Sequence, residues 1–384
     1  MASATTFRRP APEGPAVTRL LLIGGGHAHV HVLDAMAKRP FPDTETTLIS
    51  PYPRQIYSGM LPGWIAGHYT IEQCAIPINL LAERAGVRFV QTACTSLDPE
   101  SKQAHCLNGE IIPFHFASID TGPTADLGNM PGALEHALPI RPIEGFVNAW
   151  QGVLERAREQ TSGFRLAIVG DGAAGTELAF AIQHRFSCER IKHGQITLIG
   201  GGKQPLSGFP ERLRRTAATL LQQHGIAYLS DSRAIEFLPG AVRLADKTEM
   251  ASDLCLVVTG AAAPAWPADS GLACDDSGFI RLTSTLQSGS HPWVFAAGDV
   301  VAYEEARPKS GVFAVRAGPV LADNLRAACA GKTLQAWKPQ EKALYLISTG
   351  RRHALAAWGP LSVSGEWVWR WKDRIDRRFV QRFS

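Results

Sequence analysis

Two glycine-rich loops constrain this chain more than any other feature. Residues 24–29 read Gly24-Gly25-Gly26-His27-Ala28-His29, and residues 170–175 read Gly170-Asp171-Gly172-Ala173-Ala174-Gly175. Each follows a short apolar run (19–24 and 165–170), opens a helical pattern (30–37 and 176–184), and is followed by another apolar run (46–50 and 195–200). Strand, glycine turn and helix are the grammar of a dinucleotide-binding unit. The first glycine permits the tight turn, the second lets backbone approach a pyrophosphate, and the helix N–H groups hold the negative charge. Two copies that far apart predict an α/β fold with two Rossmann-like domains, not a short-period repeat.

The loops are unequal. The second carries the complete GxGxxG fingerprint; the first has His29 where the third glycine belongs. Neither unit has the usual ribose-binding acid at the end of its second strand: Ser50 and Gly200 stand there, with Lys203 a little beyond. NADH and NADPH are not separated by this pattern. Glu177, two residues past the second loop, either serves the nucleotide site or simply caps the helix start. His27 and His31 share a helical face as zinc ligands do, but no further ligand cluster accompanies them, and no metal is expected.

The rest of the chain fills in around these units. Residues 87–90 and 104–120 read as strands closing the first domain, and 241–244 and 253–259 play the matching part in the second. A strand and turn follow at 292–299, then a helix over 312–330. Residues 1–18 read as a disordered lead-in without the apolar core of a secretory signal. Seven dispersed cysteines, with no CxxC or CxxxxC, fit a reducing compartment rather than a disulfide framework. Net charge is +4, too small to imply a nucleic-acid partner. No apolar run reaches the roughly 18 residues needed to span a bilayer.

With those residues placed, the chain resembles the pyridine nucleotide–disulfide oxidoreductase superfamily, with its glutathione-reductase-like pair of nucleotide domains. Thr121-Gly122-Pro123 and Thr259-Gly260-Ala261 resemble its paired strand-to-"TG" crossovers. Ala296-Ala297-Gly298-Asp299 resembles its late FAD motif, and 310–325 the helix whose N-terminus points at the isoalloxazine. The stretches 57–63 and 371–379 resemble the type II NADH dehydrogenase-like subgroup, some members of which are fused ahead of a selenide, water dikinase; no kinase domain is expected here.

The resemblance implies an FAD domain over 19–125 and 281–330, an NAD(P)H domain over 140–270, and a small C-terminal region over 331–384. It implies that Gly24 to His29, Ser50, Thr121, Gly122, Gly298, Asp299, Val312 and Phe313 serve FAD. Gly170 to Gly175, Gly200, Thr259 and Gly260 would serve NAD(P)H. Glu177 would lie near the nicotinamide, and Arg316 would either lend a cation to the flavin or face solvent.

Disulfide reductases of this superfamily need a CxxxxC pair, and residues 55–67 hold no cysteine. Direct hydride transfer from NAD(P)H to flavin remains, with a quinone-type acceptor suggested by the type II dehydrogenases. Sulfide:quinone oxidation by distant cysteines and a flavin-binding regulatory role are the alternatives. Val368, Trp371, Ile375, Phe379 and Phe383 recur at helical spacing in a tail with six basic and three acidic residues. Read as one apolar face, they suit a helix lying on the inner face of the cell membrane, docking on the body, or joining a homodimer. The expected location is the cytoplasm, free or peripheral on that membrane.

Overall fold

Apolar runs that open onto glycines become central strands. In the computed structural model, which describes residues 17–384, Thr18–Ile23 (β1) leads through the first glycine loop into His27–Lys38 (α1) and returns as Thr44–Ile49 (β2). Arg88–Val90 (β3) and Phe116–Ile119 (β4) join them in parallel. The second unit follows as Ala137–Pro139 (β5), Ile143–Glu159 (α2), Arg165–Val169 (β6), Ala173–Cys188 (α3), Gln195–Ile199 (β7), Glu211–Gln223 (α4), Ala227–Leu229 (β8) and Leu254–Val257 (β9). Its sheet order is β5-β9-β6-β7-β8, all parallel. The chain then returns to the first sheet as Val294–Ala296 (β10), giving β10-β4-β1-β2-β3, and continues into Gly311–Cys329 (α5). Of the lead-in expected over 1–18, residues 1–16 lie outside the described residues.

The first sheet is buried on both faces, so β1 reads as a continuous apolar run. Alternation sends Leu20 and Leu22 toward α1 and α5, where Val30, Leu33, Leu321 and Leu325 meet them. Leu21 and Ile23 face an antiparallel sheet of Cys94–Asp98, Gln103–Cys106 and Ile111–Pro113, packing on Leu97, Ile112 and Phe114. The strand Cys94–Asp98 and the helices α2 and α4 have no counterpart in the sequence reading. Gly318 lets α5 close on α1: a Cβ there would stand 2.7 Å from the His31 ring.

The tail folds as an antiparallel meander of Leu344–Ser348 (β11), Ala354–Trp358 (β12) and Leu361–Gly365 (β13), followed by Glu366–Phe383 (α6). The single apolar face expected there is divided. Val368, Phe379 and Phe383 turn inward with Lys372, Asp376 and Val380, and Phe383 packs edge-on against His31. Trp367, Trp371 and Ile375 lie outward, 56%, 41% and 39% exposed. Each residue turns a helix by about 100°, so positions 371 and 375 fall beside the face set by Lys372 and Asp376. No helix among the described residues is long and apolar enough to cross a membrane.

Candidate cofactor clefts

The irregular first loop has its own packing solution. Gly24 has φ +92°, and a Cβ there would lie 2.5 Å from the Asp120 carbonyl oxygen at the end of β4. One Asp120 carboxylate oxygen, Oδ2, accepts the backbone N–H of Ala28 (2.7 Å) and of His29 (3.0 Å), capping α1 from across the sheet. The His29 ring, where a third glycine is usual, is fully buried. Its Nδ1 donates to Gly24 O at 2.6 Å, and its Nε2 accepts from Ser118 Oγ at 2.8 Å. Burial pushes its pKa down to about 4, so this bridge is neutral. The His27 amide, on the same first turn, keeps no acceptor among the described residues.

That turn opens on a cleft lined by Gly26, His27, Arg54, Asp120, Arg141 and Asp299, among others. Asp299 pairs with Arg141 at 3.7 Å, and burial raises its pKa against the pull of Arg141 and Lys309. Gly298 has φ +80°, and its Cβ would meet Asp120 Oδ1 at 2.5 Å, so only glycine fits between the two acids. Asp120, fully buried and near Asp299, has its pKa pushed up to about 7. Gly122 and Thr121 line the cleft after β4; Gly311 and Ala314 bring in the first turns of α5, with Val312 half-buried and Phe313 buried between them. Ser50 lies off the lining and donates to Tyr52 O at 3.0 Å. His27 Nε2 and Arg141 Nη1 are buried without a partner among the described residues, which suits a ligand rich in acceptor oxygens.

The complete fingerprint builds the second site. Gly170 has φ +115°, and its Cβ would lie 2.6 Å from Val258 O; that of Gly175 would lie 1.8 Å from Gly170 O. Gly172 and Ala174 are exposed at the loop, and Ala173 begins α3. Gly170, Gly201 and Thr259 border a cleft at the carboxyl ends of the strands, with Gly260 next along the chain. This is where open α/β sheets bind ligands. Gly200 is buried, its open side filled by Asp171.

Glu177 leaves α3 toward the tail, accepting the Ser348 N–H at 2.7 Å, and burial raises its pKa. Lys372 from α6 lies near it, bonded to Asp376 (2.7 Å) and to Gly59 O (2.5 Å). Burial pulls the Lys372 pKa down, but Asp376 and Glu177 outweigh it, so it sits above the ordinary lysine value and carries a proton at neutral pH. Arg316 is exposed and forms no ion pair with the described residues. Sequence reading gave no site role to Asp120, Arg141, Lys372 and Asp376, although the last two lie in the 371–379 stretch that carries the subgroup resemblance.

No cysteine lines the first cleft, and burial raises the thiol pKa of Cys74 and Cys94 to about 12. Among the described residues no three His, Cys, Asp or Glu could hold a metal ion. His29 and His31 point to Ser118 and Phe383 respectively.

Paired dinucleotide folds sharing one chain, with buried polar groups awaiting acceptors and no thiol beside them, define a flavin- and pyridine-nucleotide-dependent oxidoreductase. The chain belongs to the pyridine nucleotide-disulphide oxidoreductase family, whose model matches residues 18–318. Its cofactors are FAD and NAD(P)H. Among its relatives, demethylphylloquinone reductase NdbB of Synechocystis is 26% identical over 305 residues, 76% of this chain and 73% of its own. The NADH dehydrogenase-like protein YutJ of Bacillus subtilis is 28% identical over 58% of this chain and 60% of its own. Among solved structures, NDH2 from Plasmodium falciparum in complex with NADH shares the fold at a TM-score of 0.80, with 14% identity, over 96% of this chain and 97% of its own.

Proposed function

We propose that this chain oxidises NAD(P)H through FAD and delivers the electrons to a quinone-type acceptor without a thiol relay. The observation that carries this reading is the pair of glycine cradles on two parallel sheets with no cysteine in the first cleft. The quinone acceptor is supported by the names of the relatives. When bound, FAD would supply the hydride-accepting and two-electron-donating chemistry.

The chain's own groups bind, orient and hold charge. Residues Gly24 to His29 present the first turn of α1 to a pyrophosphate, with His27 Nε2 and Arg141 Nη1 as further polar contacts. Asp299 is placed to accept hydrogen bonds from ligand hydroxyls, steadied by Arg141. The start of α5, from Gly311, aims N–H groups and a positive dipole end at the cleft, which favours a reduced, anionic ligand. Gly170 to Gly175 present α3 to the second nucleotide in the same way. Reduction of a quinone also takes up protons. Lys372, protonated and buried beside Asp376 and under the charge of Glu177, is a proton-bearing group close to α3, while Arg316, outside that cluster, has no assigned part.

Trp367, Trp371 and Ile375 are exposed on α6, as are Trp358, Leu361 and Val363 on the meander, and Arg370 lies on the same helix. Aromatic side chains beside arginines suit the headgroup layer of an anionic bilayer, where a quinone is dissolved. A second copy of the chain is the competing partner of these side chains.

Steady-state assays with a water-soluble quinone test the reading. NAD(P)H consumption that depends on the quinone and proceeds well above the aerobic background is expected. Consumption unaffected by the quinone would overturn the assignment of the acceptor.

A further inference from the structure

The second nucleotide site lacks an acid at its strand end, yet a carboxylate occupies that place from another position. Strand β7 ends at Ile199, level with Val169 of β6, so Gly170 and Gly200 lie side by side at the carboxyl ends. A Cβ at Gly200 would stand 2.1 Å from Asp171 Oδ2 and 2.4 Å from Asp171 Cγ. The space a strand-end side chain would enter is therefore filled by the Asp171 carboxylate, projecting from the second position of the glycine loop.

Three contacts fix the residue there, one of them the Thr176 hydroxyl, which donates to the Asp171 carbonyl at 3.1 Å. Leu206 N–H donates to the Asp171 carbonyl at 2.8 Å, and the Tyr228 hydroxyl lies 2.7 Å from Asp171 Oδ2 and 2.8 Å from Gly202 O. The phenol has one proton to share between those acceptors. Oδ1 has no protein donor among the described residues, and the loop that carries it borders the second cleft through Gly170.

We infer that Asp171, clamped by Tyr228, takes the role of the missing strand-end acid and makes the site select NADH over NADPH. This rests on the dehydrogenase reading above. An acid at this corner accepts the adenosine ribose hydroxyls of NADH. A 2′-phosphate would bring a dianion against the fixed carboxylate, and like charges at such separation oppose binding strongly. The opposing groups are Lys203 and Arg233, which are exposed near the same corner and make no ion pair with the described residues. Both sit on side chains free to swing, whereas Asp171 is held.

The test uses the FAD-loaded full chain and two readouts. One is the rate of anaerobic flavin bleaching against NADH and NADPH; the other is calorimetric binding of NAD⁺ and NADP⁺, which needs no turnover. The wild type should favour the non-phosphorylated nucleotide by roughly 10- to 100-fold in both. Asp171→Asn keeps the shape, removes the charge, and should bring both ratios toward one, chiefly by improving NADP⁺ binding. Tyr228→Phe releases the carboxylate and should weaken NAD⁺ several-fold while leaving the flavin spectrum intact. A wild-type ratio near one or favouring NADPH overturns the inference even if no variant folds. So does an unchanged ratio in a folded Asp171→Asn. Bleaching by neither nucleotide would sink the dehydrogenase reading, while the calorimetric ratio would still decide the part played by Asp171.

Discussion

At the residue scale, Asp120 ties the first cleft to pH. Its carboxyl, ordinarily near 3.8, stands at about 7 because burial and Asp299 outweigh two backbone N–H bonds. Below about pH 4 it is protonated in folded and unfolded chains alike and has no effect on stability. Between 4 and 7 the unfolded chain releases the proton while the folded chain keeps it, so stability falls as pH rises, with the whole penalty present above 7. Asp120→Asn should retain the Ala28 and His29 bonds and remove that dependence. Titration of the FAD-free protein by flavin fluorescence should show the wild type losing affinity from pH 6 to 8 relative to the variant. Parallel curves would refute the role of this proton. The close contact at Gly175 makes a second case. Gly175→Ala pushes a methyl into Gly170 O and should cost about 1–3 kcal/mol, read as a lower Tm together with weakened NAD(P)H binding. An unchanged Tm would mean that α3 shifts freely.

At the scale of elements, the tail helix α6 carries two faces with separable effects. Phe383 is fully buried against His31 and Phe379, so Phe383→Ala should cost about 3–5 kcal/mol in denaturant unfolding. A change under 1 kcal/mol would mean that the helix is not docked in solution. On the outer face, Trp367→Ser with Trp371→Ser should leave unfolding almost unaltered. The same pair should reduce sedimentation with anionic lipid vesicles while the wild type co-sediments. Loss of a dimer instead, seen by light scattering, would assign the outer face to a second copy of the chain.

Elements differed in how far the sequence disclosed them. The glycine loops and their flanking strands were legible because their demands are local: a positive φ at Gly24 and Gly170 and apolar runs in β1 and β6. Helices α2 and α4 were not, since their apolar residues are interleaved with charges and no cap announces either start. On α6 the period was read correctly, but the inward face was centred one residue away. A buried Lys372–Asp376 pair looks like solvated surface until a partner such as Glu177 is known.

At the scale of the whole molecule, the family and its paired folds were already visible in the order of the motifs. What remained hidden were contacts between distant segments. Asp120 caps a helix that lies far back in the chain, Asp171 fills a space left by Gly200, and Arg141 reaches Asp299 from the turn between β5 and α2. Each joins residues that no local pattern connects. Together they make one chain with two nucleotide sites and no dithiol between them. The direct check is anaerobic mixing of the FAD-loaded protein with NADH or NADPH while the flavin absorbance near 450 nm is followed. Rapid, complete bleaching by at least one nucleotide, with the same rate after the accessible cysteines are blocked by an alkylating reagent, is predicted. No bleaching, or bleaching abolished by alkylation, would contradict the account.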